Sequence, residues 1–270
     1  MVSKPERIDV PKVECAGVPL AAFTMDDAQQ LADRSIAEKR PCLFSTGNAY
    51  TIVMAQSNPV LMGHYHQADA VLPDGMIPVW LTKLLPHSVP DKIAGPVFFQ
   101  EFVRRAPSKG HRIFLLGSSD AVLAKMCEQM EAMAPGVIIA GTLSPPFAER
   151  FSEAQNSEML KAIEEAAPDA LFVGLQAPKQ ESWLSEHHDR LSVPFRMGVG
   201  AAFDFTAGTK KQAPHWVSKM GLEWFVRWAD EPRRLTGRYT KSLAIFGLFV
   251  WFHGLEFLRL RRQNIARNSF

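Results

Sequence analysis

Asp74 stands between Pro73 and Gly75, directly after the apolar run Ala70-Val71-Leu72. A carboxylate on a tight turn at a strand end can take a proton from a hydroxyl as that hydroxyl attacks an electrophile. It can equally cap the following helix or simply form the turn, and taken alone the position favours those structural roles. Other polar residues also follow apolar runs. Thr46 and Asn48 close the run that starts at Pro41, Gly117, Ser118 and Ser119 follow Ile113–Leu116, and Gln176 to Glu181 follow Ala170–Gly174. In an open parallel sheet such strand-end residues meet at one edge, where ligands bind.

The chemistry open to each differs. Gly117-Ser118-Ser119 sets backbone N–H groups and hydroxyls at a helix start, a geometry suited to phosphate, although strand–glycine–helix turns also arise for packing. Lys179 and Gln180 could reach a ligand, whereas Glu181 reads as a complement to the helix dipole. His187 and His188 are adjacent, so on a helix they point apart and read as a solvated face rather than metal ligands. No Asp-x-Asp and no HxxxH occurs, so a divalent metal held by closely spaced side chains is not expected. A departing diphosphate would then need arginines and helix-terminal amides. Arg227, Arg234 and Arg238 would share one helical face but for Pro232. Guanidinium groups grip phosphate bidentately. A basic surface meeting lipid headgroups is compatible with that role.

These arginines belong to an uneven charge distribution. The formal net charge is only +2, yet residues 227–270 carry nine Arg and Lys against three Asp and Glu. A mildly acidic body with a basic, aromatic tail points to an anionic partner at the C-terminal end: nucleic acid, an anionic membrane face or a diphosphate. The apolar stretch Leu243–Phe252 is far short of the ~20 residues that span a bilayer. Beside Arg259-Leu260-Arg261-Arg262 it suits a helix lying at a membrane interface. The alternative is a helix docked on its own core or on another subunit.

The elements that must position these groups are legible as alternation. The 270 residues, 47% hydrophobic and 21% charged, are ample for a core and exclude a disordered or collagen-like chain. The scattered cysteines Cys15, Cys42 and Cys127 exclude a disulfide framework and a thiolate zinc site and favour a reducing compartment. Met1–Val13 mixes charges and prolines, so no secretory leader is expected. Strands are expected at Pro41–Thr46, Ala70–Leu72, Ile113–Leu116, Val137–Ala140, Ala170–Gly174 and Phe195–Val199. Helices are expected at Asn48–Ala68, Ala121–Ala134, Ser157–Ala167, Pro178–Leu191 and Val217–Ala229. The pattern is doubly wound α/β, a mostly parallel sheet with helices on both faces.

Read in order, these segments resemble one family. They are Thr46-Gly47-Asn48; Ala68-Asp69-Ala70-Val71-Leu72-Pro73-Asp74-Gly75; Ile113-Phe114-Leu115-Leu116-Gly117; Val173-Gly174-Leu175 with Pro178-Lys179-Gln180-Glu181; and Gly198-Val199-Gly200. Phe203-Asp204-Phe205-Thr206-Ala207-Gly208, Ala213-Pro214-His215-Trp216, Gly221-Leu222-Glu223-Trp224 and Arg227 through Glu231-Pro232-Arg233-Arg234 continue the match. The chain resembles the bacterial glycosyltransferases of the teichoic-acid N-acetylmannosaminyltransferase type. That group includes the enterobacterial-common-antigen N-acetylmannosaminuronic-acid transferase and the xanthan-type glucosyltransferase.

The resemblance implies a Rossmann-like catalytic domain over residues 1–215 and a C-terminal helical, membrane-associating appendage over 216–270. It implies an inverting, metal-independent transfer without a cofactor, from a UDP-sugar to a polyprenyl-diphosphate-linked saccharide. The enzyme would be cytoplasmic, held peripherally at the inner face of the cytoplasmic membrane, with no nucleic-acid partner and with self-association left open. Carried over by position, Asp74 looks like the base, with Thr46, Asn48 and Gln180 at the sugar, and Arg227, Arg233, Arg234 and Arg238 at the diphosphate. Gly75, Gly117, Ser118 and Lys179 complete the expected substrate-binding set. Two positions depart from the family pattern: Gln176 stands where glycine is usual, and Gln212 where Arg-Ala-Pro usually begins. The rival readings are a non-catalytic assembly protein of the same fold and a nucleotide-sugar epimerase or dehydrogenase. The second lacks a GxGxxG fingerprint.

Overall fold

The computed structural model describes residues 10–210 together with 217, 233, 236, 237, 240, 244, 245 and 247–254. Along the chain these form β1 (Lys12–Cys15), β2 (Val18–Ala21), α1 (Met25–Ala37), β3 (Cys42–Gly47), α2 (Ala49–Ala55), α3 (Pro59–Gln67), β4 (Ala70–Pro73), α4 (Met76–Thr82) and α5 (Gly95–Lys109). They continue with β5 (Arg112–Gly117), α6 (Asp120–Met133), β6 (Ile138–Leu143), α7 (Glu153–Ala166), β7 (Ala170–Gly174), α8 (Lys179–Glu186), β8 (Phe195–Gly198) and α9 (Ala202–Thr206). One sheet takes the order β1-β2-β4-β3-β8-β7-β5-β6. The β1–β2 hairpin is antiparallel, and the other pairings are parallel.

The inner strands read as continuous apolar runs because both their faces are covered. Helices α1, α5, α6 and α9 bury one face, with Phe44, Phe98, Phe102, Phe172 and Phe195 in the shared core. The rings of Phe44 and Phe195 meet edge to face at 5.0 Å, and those of Phe99 and Phe172 at 4.8 Å. Helices α2, α3, α4, α7 and α8 cover the opposite face. The fold is thus the expected α/β sheet with helices on both sides.

Two aspartates set the register with the same device. Asp69, just before β4, donates its backbone N–H to Leu43 O at 2.9 Å, while its Oδ2 accepts from Leu43 N at 2.8 Å. Asp169, just before β7, does the same with Arg112, at 2.8 and 2.9 Å. Each carboxylate satisfies a strand N–H at the sheet's entrance, so parallel neighbours start level and also end level.

Several boundaries differ from expectation. The single helix expected over Asn48–Ala68 is two, because Pro59 cannot continue α2 and Asn58 caps α3 by accepting from Leu61 N at 3.1 Å. Helix α8 stops at Glu186, short of Leu191. The hairpin β1–β2 and helices α1, α4, α5 and α9 were not anticipated; the two hairpin strands have only four residues each, and α5 contains Pro107.

In the tail, the helix expected over 217–229 lies outside the described residues apart from Val217, which is helical and buried. Residues 247–254 are helical. Ile245 and Phe249 are buried in the same cluster as Val13 and Leu20, and Ala16 N donates to His253 Nε2 at 3.3 Å. This part of the tail therefore docks on its own core, the alternative weighed above, while Val250 and Trp251 stay exposed. Among the described residues no helix is long and apolar enough to cross a membrane.

The end of β5 shows why a glycine is needed at one turn. Gly117 has φ +123°, and a Cβ there would lie 2.7 Å from the backbone of Gly174 on β7. Backbone cannot step aside as a flexible side chain can. Gly117→Ala is expected to cost about 3 kcal/mol, read as a lower urea midpoint. Gly63→Ala, on α3 with nothing within 4 Å, should be neutral or stabilising by up to about 1 kcal/mol.

Candidate active site

The level strand ends bring Asp74, Thr46, Asn48 and Gln180 to one edge of the sheet. Asp74 is half-buried on the turn that leaves β4. Its N–H donates to Gly47 O at 3.1 Å, tying the turn to the end of β3. On the other side Ile93 N donates to Pro73 O at 2.8 Å, laying the segment before α5 against the same turn. Gly75, with φ +96°, holds the N-cap position of α4. The cap therefore falls one residue beyond Asp74.

Thr46 and Asn48 flank Gly47 on the adjoining strand end. Asn48 caps α2: its Oδ1 accepts from Thr51 N and its N–H donates to Thr51 Oγ1, both at 3.1 Å. This leaves the Asn48 amide nitrogen as the donor that can face a ligand. Below them lies a buried polar layer with no signature in the sequence. The hydroxyl of Tyr65, wholly buried on α3, donates to Thr46 O at 3.2 Å. Burial pushes that phenol up, and the nearby carboxylates of Glu181 and Asp74 push it the same way. Tyr65 is thus neutral.

Gln180 is buried and held at both ends of its amide. Its Oε1 accepts from Gly200 N at 3.0 Å, and its Nε2 donates to Glu181 Oε1 at 2.8 Å. A Cβ on Gly198 would come within 2.9 Å of the Gln180 amide, so β8 ends in glycine to admit it. Glu181 is more than a dipole partner. It is 2% exposed, its Oε2 has no hydrogen-bond partner among the described residues, and burial pushes its carboxyl up to about 7 against the partial relief from Gln180. Position 181 carried a sequence signal only as part of the Pro-Lys-Gln-Glu run.

Other expected residues are placed differently. Gly117 and Ser118 end β5, four strand spacings from β4 in the sheet order, which is about 19 Å. They can meet only the far end of an extended ligand. The α6 cap is Ser119, which accepts from Val122 N, and Ser118 has φ +60° with its carbonyl accepting from Ser144 Oγ at 2.8 Å. Lys179 turns to the β6–α7 connection, donating to Ala148 O and lying 3.7 Å from the centroid of the Phe151 ring. Burial lowers its pKa. Its visible work is to fasten that connection. Gln176 adopts φ +65°, the left-handed region that glycine tolerates best. Arg233 is exposed; Arg227, Arg234, Arg238 and Gln212 lie outside the described residues.

A doubly wound sheet whose carboxyl ends carry a pinned aspartate, a capping asparagine and a braced glutamine defines a ligand-binding α/β enzyme of the Rossmann-like class. The chain belongs to the glycosyl transferase WecG/TagA/CpsF family, whose model matches residues 13–259. It is 30% identical over 180 residues (67% of this chain, 68% of the relative) to the N-acetylglucosaminyldiphosphoundecaprenol N-acetyl-β-D-mannosaminyltransferase of Bacillus spizizenii. Identity to the protein of that name from Bacillus subtilis is 32% over 167 residues, 62% of this chain and 63% of the relative. With that of Staphylococcus aureus it is 25% over 251 residues, 89% and 92% of the two chains. The protein is a glycosyltransferase.

The buried Glu181 has a measurable consequence. In the folded protein its carboxyl holds a proton up to about pH 7, whereas its ordinary value is 4.5. Folding therefore takes up a proton between those values, and stability falls as pH rises through that window. Glu181→Gln keeps an acceptor for Gln180 and removes the titration. Its unfolding free energy from urea melts should match wild type near pH 4 and exceed it near pH 8, by an amount on the order of 1–3 kcal/mol.

Proposed function

We propose that this glycosyltransferase moves a sugar in one inverting step from a UDP-sugar to a saccharide carried on a polyprenyl diphosphate. Asp74 accepts the proton of the acceptor hydroxyl as that oxygen attacks the anomeric carbon from the face opposite UDP. One C–O bond forms, the bond from the anomeric carbon to the diphosphate breaks, and UDP leaves with the electron pair. Thr46 and Asn48 orient the sugar, while Gln180, locked between Gly200 and Glu181, shapes the pocket wall. Arg227, Arg233, Arg234 and Arg238 take the growing charge of the diphosphate, and the turn at Gly117 and Ser118 meets the far end of the nucleotide.

The observation that carries this reading is the fixed position of Asp74. Its turn is hydrogen-bonded on both sides, to Gly47 O and through Pro73 O to Ile93 N, which supports a backbone held still at the strand end next to the one that carries Thr46 and Asn48. Preorganisation of this kind is what general-base catalysis needs. The acceptor class is supported by the relatives, whose names specify transfer to N-acetylglucosaminyldiphosphoundecaprenol. The lipid carrier in turn supports an enzyme held peripherally at the inner face of the cytoplasmic membrane.

Asp74→Asn should lower sugar transfer by about 10²–10⁴ while calorimetric affinity for the UDP-sugar stays within about twofold. The assay is a panel of UDP-sugars against lipid-diphosphate acceptors, with products identified by mass. Wild-type-like turnover in the variant would remove Asp74 from the base role, and no product from any donor would favour a non-catalytic protein.

A further inference from the structure

Helix α4 leaves the catalytic turn directly, beginning at Met76 two residues after Asp74. Its inner face is well packed: Val79 and Leu81 are buried in the cluster that also holds Val13, Cys15, Ile245 and Phe249. Its outer face is apolar and uncovered. Trp80 is 44% exposed and Leu84, just past the helix end, 55%. From Gly75 to Pro90 the chain carries Lys83, also exposed, and no Asp or Glu. The helical segment 247–254 docks on the same cluster through Ile245 and Phe249 and hydrogen-bonds the β1–β2 hairpin through His253. It too turns apolar side chains outward, with Trp251 81% and Val250 66% exposed.

We infer that α4 is a second membrane-contact element, and that with the docked tail helix it seats the β1 side of the molecule on an anionic phospholipid surface. This rests on the reading that the acceptor is lipid-linked. Two exposed tryptophans, one of them three residues from Lys83 in a stretch with no acidic residue from Gly75 to Pro90, match the requirements of a headgroup interface: rings in the apolar boundary and cations at phosphate level. The basic stretch Arg259-Leu260-Arg261-Arg262 follows the tail helix in sequence and adds the same charge. Position supplies the functional link. Only about 6 Å of helix separates Met76 from Trp80, so a bilayer touching Trp80 presents a lipid diphosphate close to the Asp74 turn. Membrane contact by α4 thus delivers the acceptor as well as the enzyme. A second copy of this chain is the competing occupant.

The test uses the full chain and the double variant Trp80→Ser/Leu84→Ser, whose side chains are exposed, with folding checked by thermal melting. Co-sedimentation with vesicles containing phosphatidylglycerol should fall about tenfold or more relative to wild type. Vesicles of phosphatidylcholine alone should bind wild type more weakly. Transfer to a long-chain polyprenyl-diphosphate acceptor in vesicles should fall in parallel, while transfer to a short, water-soluble acceptor should stay within about twofold. Unchanged vesicle binding in the double variant, or no vesicle binding by wild type, overturns the inference. So does a dimer-to-monomer shift by sedimentation with vesicle binding intact, which would make this face a contact between copies. If wild type transfers to neither acceptor, the proposed reaction fails, and vesicle binding still decides the role of α4.

Discussion

Parallel strands buried on both faces leave their polar backbone groups reachable only at their ends, and this constraint organises the whole molecule. Helices cover the two faces with phenylalanine, leucine and valine, so no chemistry can be placed there without a desolvation cost. Asp69 and Asp169 each hold the neighbouring strand level at the entrance of the sheet. The carboxyl ends of β4, β3 and β8 reach similar heights, and the polar residues beyond them lie along one edge.

The proposed reaction asks chemistry of some residues at that edge and leaves others to hold their neighbours still. Asp74, on a turn fixed by its neighbours' backbones, is the proposed base and belongs to the first kind. Tyr65, Thr51 and Glu181 belong to the second: a buried layer in which each group fixes the geometry of the one above it. A neutral Tyr65 can donate to Thr46 O without adding charge beneath the site. The Glu181 carboxyl, raised toward neutrality by burial, braces Gln180. Such a layer is costly to bury unless nearly all its members are paired, and the unpaired Oε2 of Glu181 is its exception.

Several residues chosen by type turn out to be occupied by the fold itself. Lys179 fastens the connection between β6 and α7, and the space beside Gly117 is taken by the backbone of Gly174. These positions show that a strand-end glycine or a lysine at a helix start can satisfy a packing need whatever it does toward a ligand. The docked tail helix makes a related point. A basic, aromatic segment can bury one face on its own protein and still present tryptophan outward.

The alternation of strands and helices is legible in the residues alone, because apolar runs and turn residues are local signals that a single window can hold. The sequence also singled out Asp74, Thr46, Asn48 and Gln180, since strand-end position follows from those same runs. It did not announce Tyr65, which looks like any aromatic residue on a helix, nor the pairing of Glu181 with Gln180, nor the break at Pro59 within an otherwise helical stretch. That β4 and β5 stand four spacings apart, which sets Gly117 well away from Asp74 along the edge, emerges with the assembled sheet. Strand order depends on which faces the connecting helices can cover. That is a property of the assembled sheet, and no local pattern encodes it.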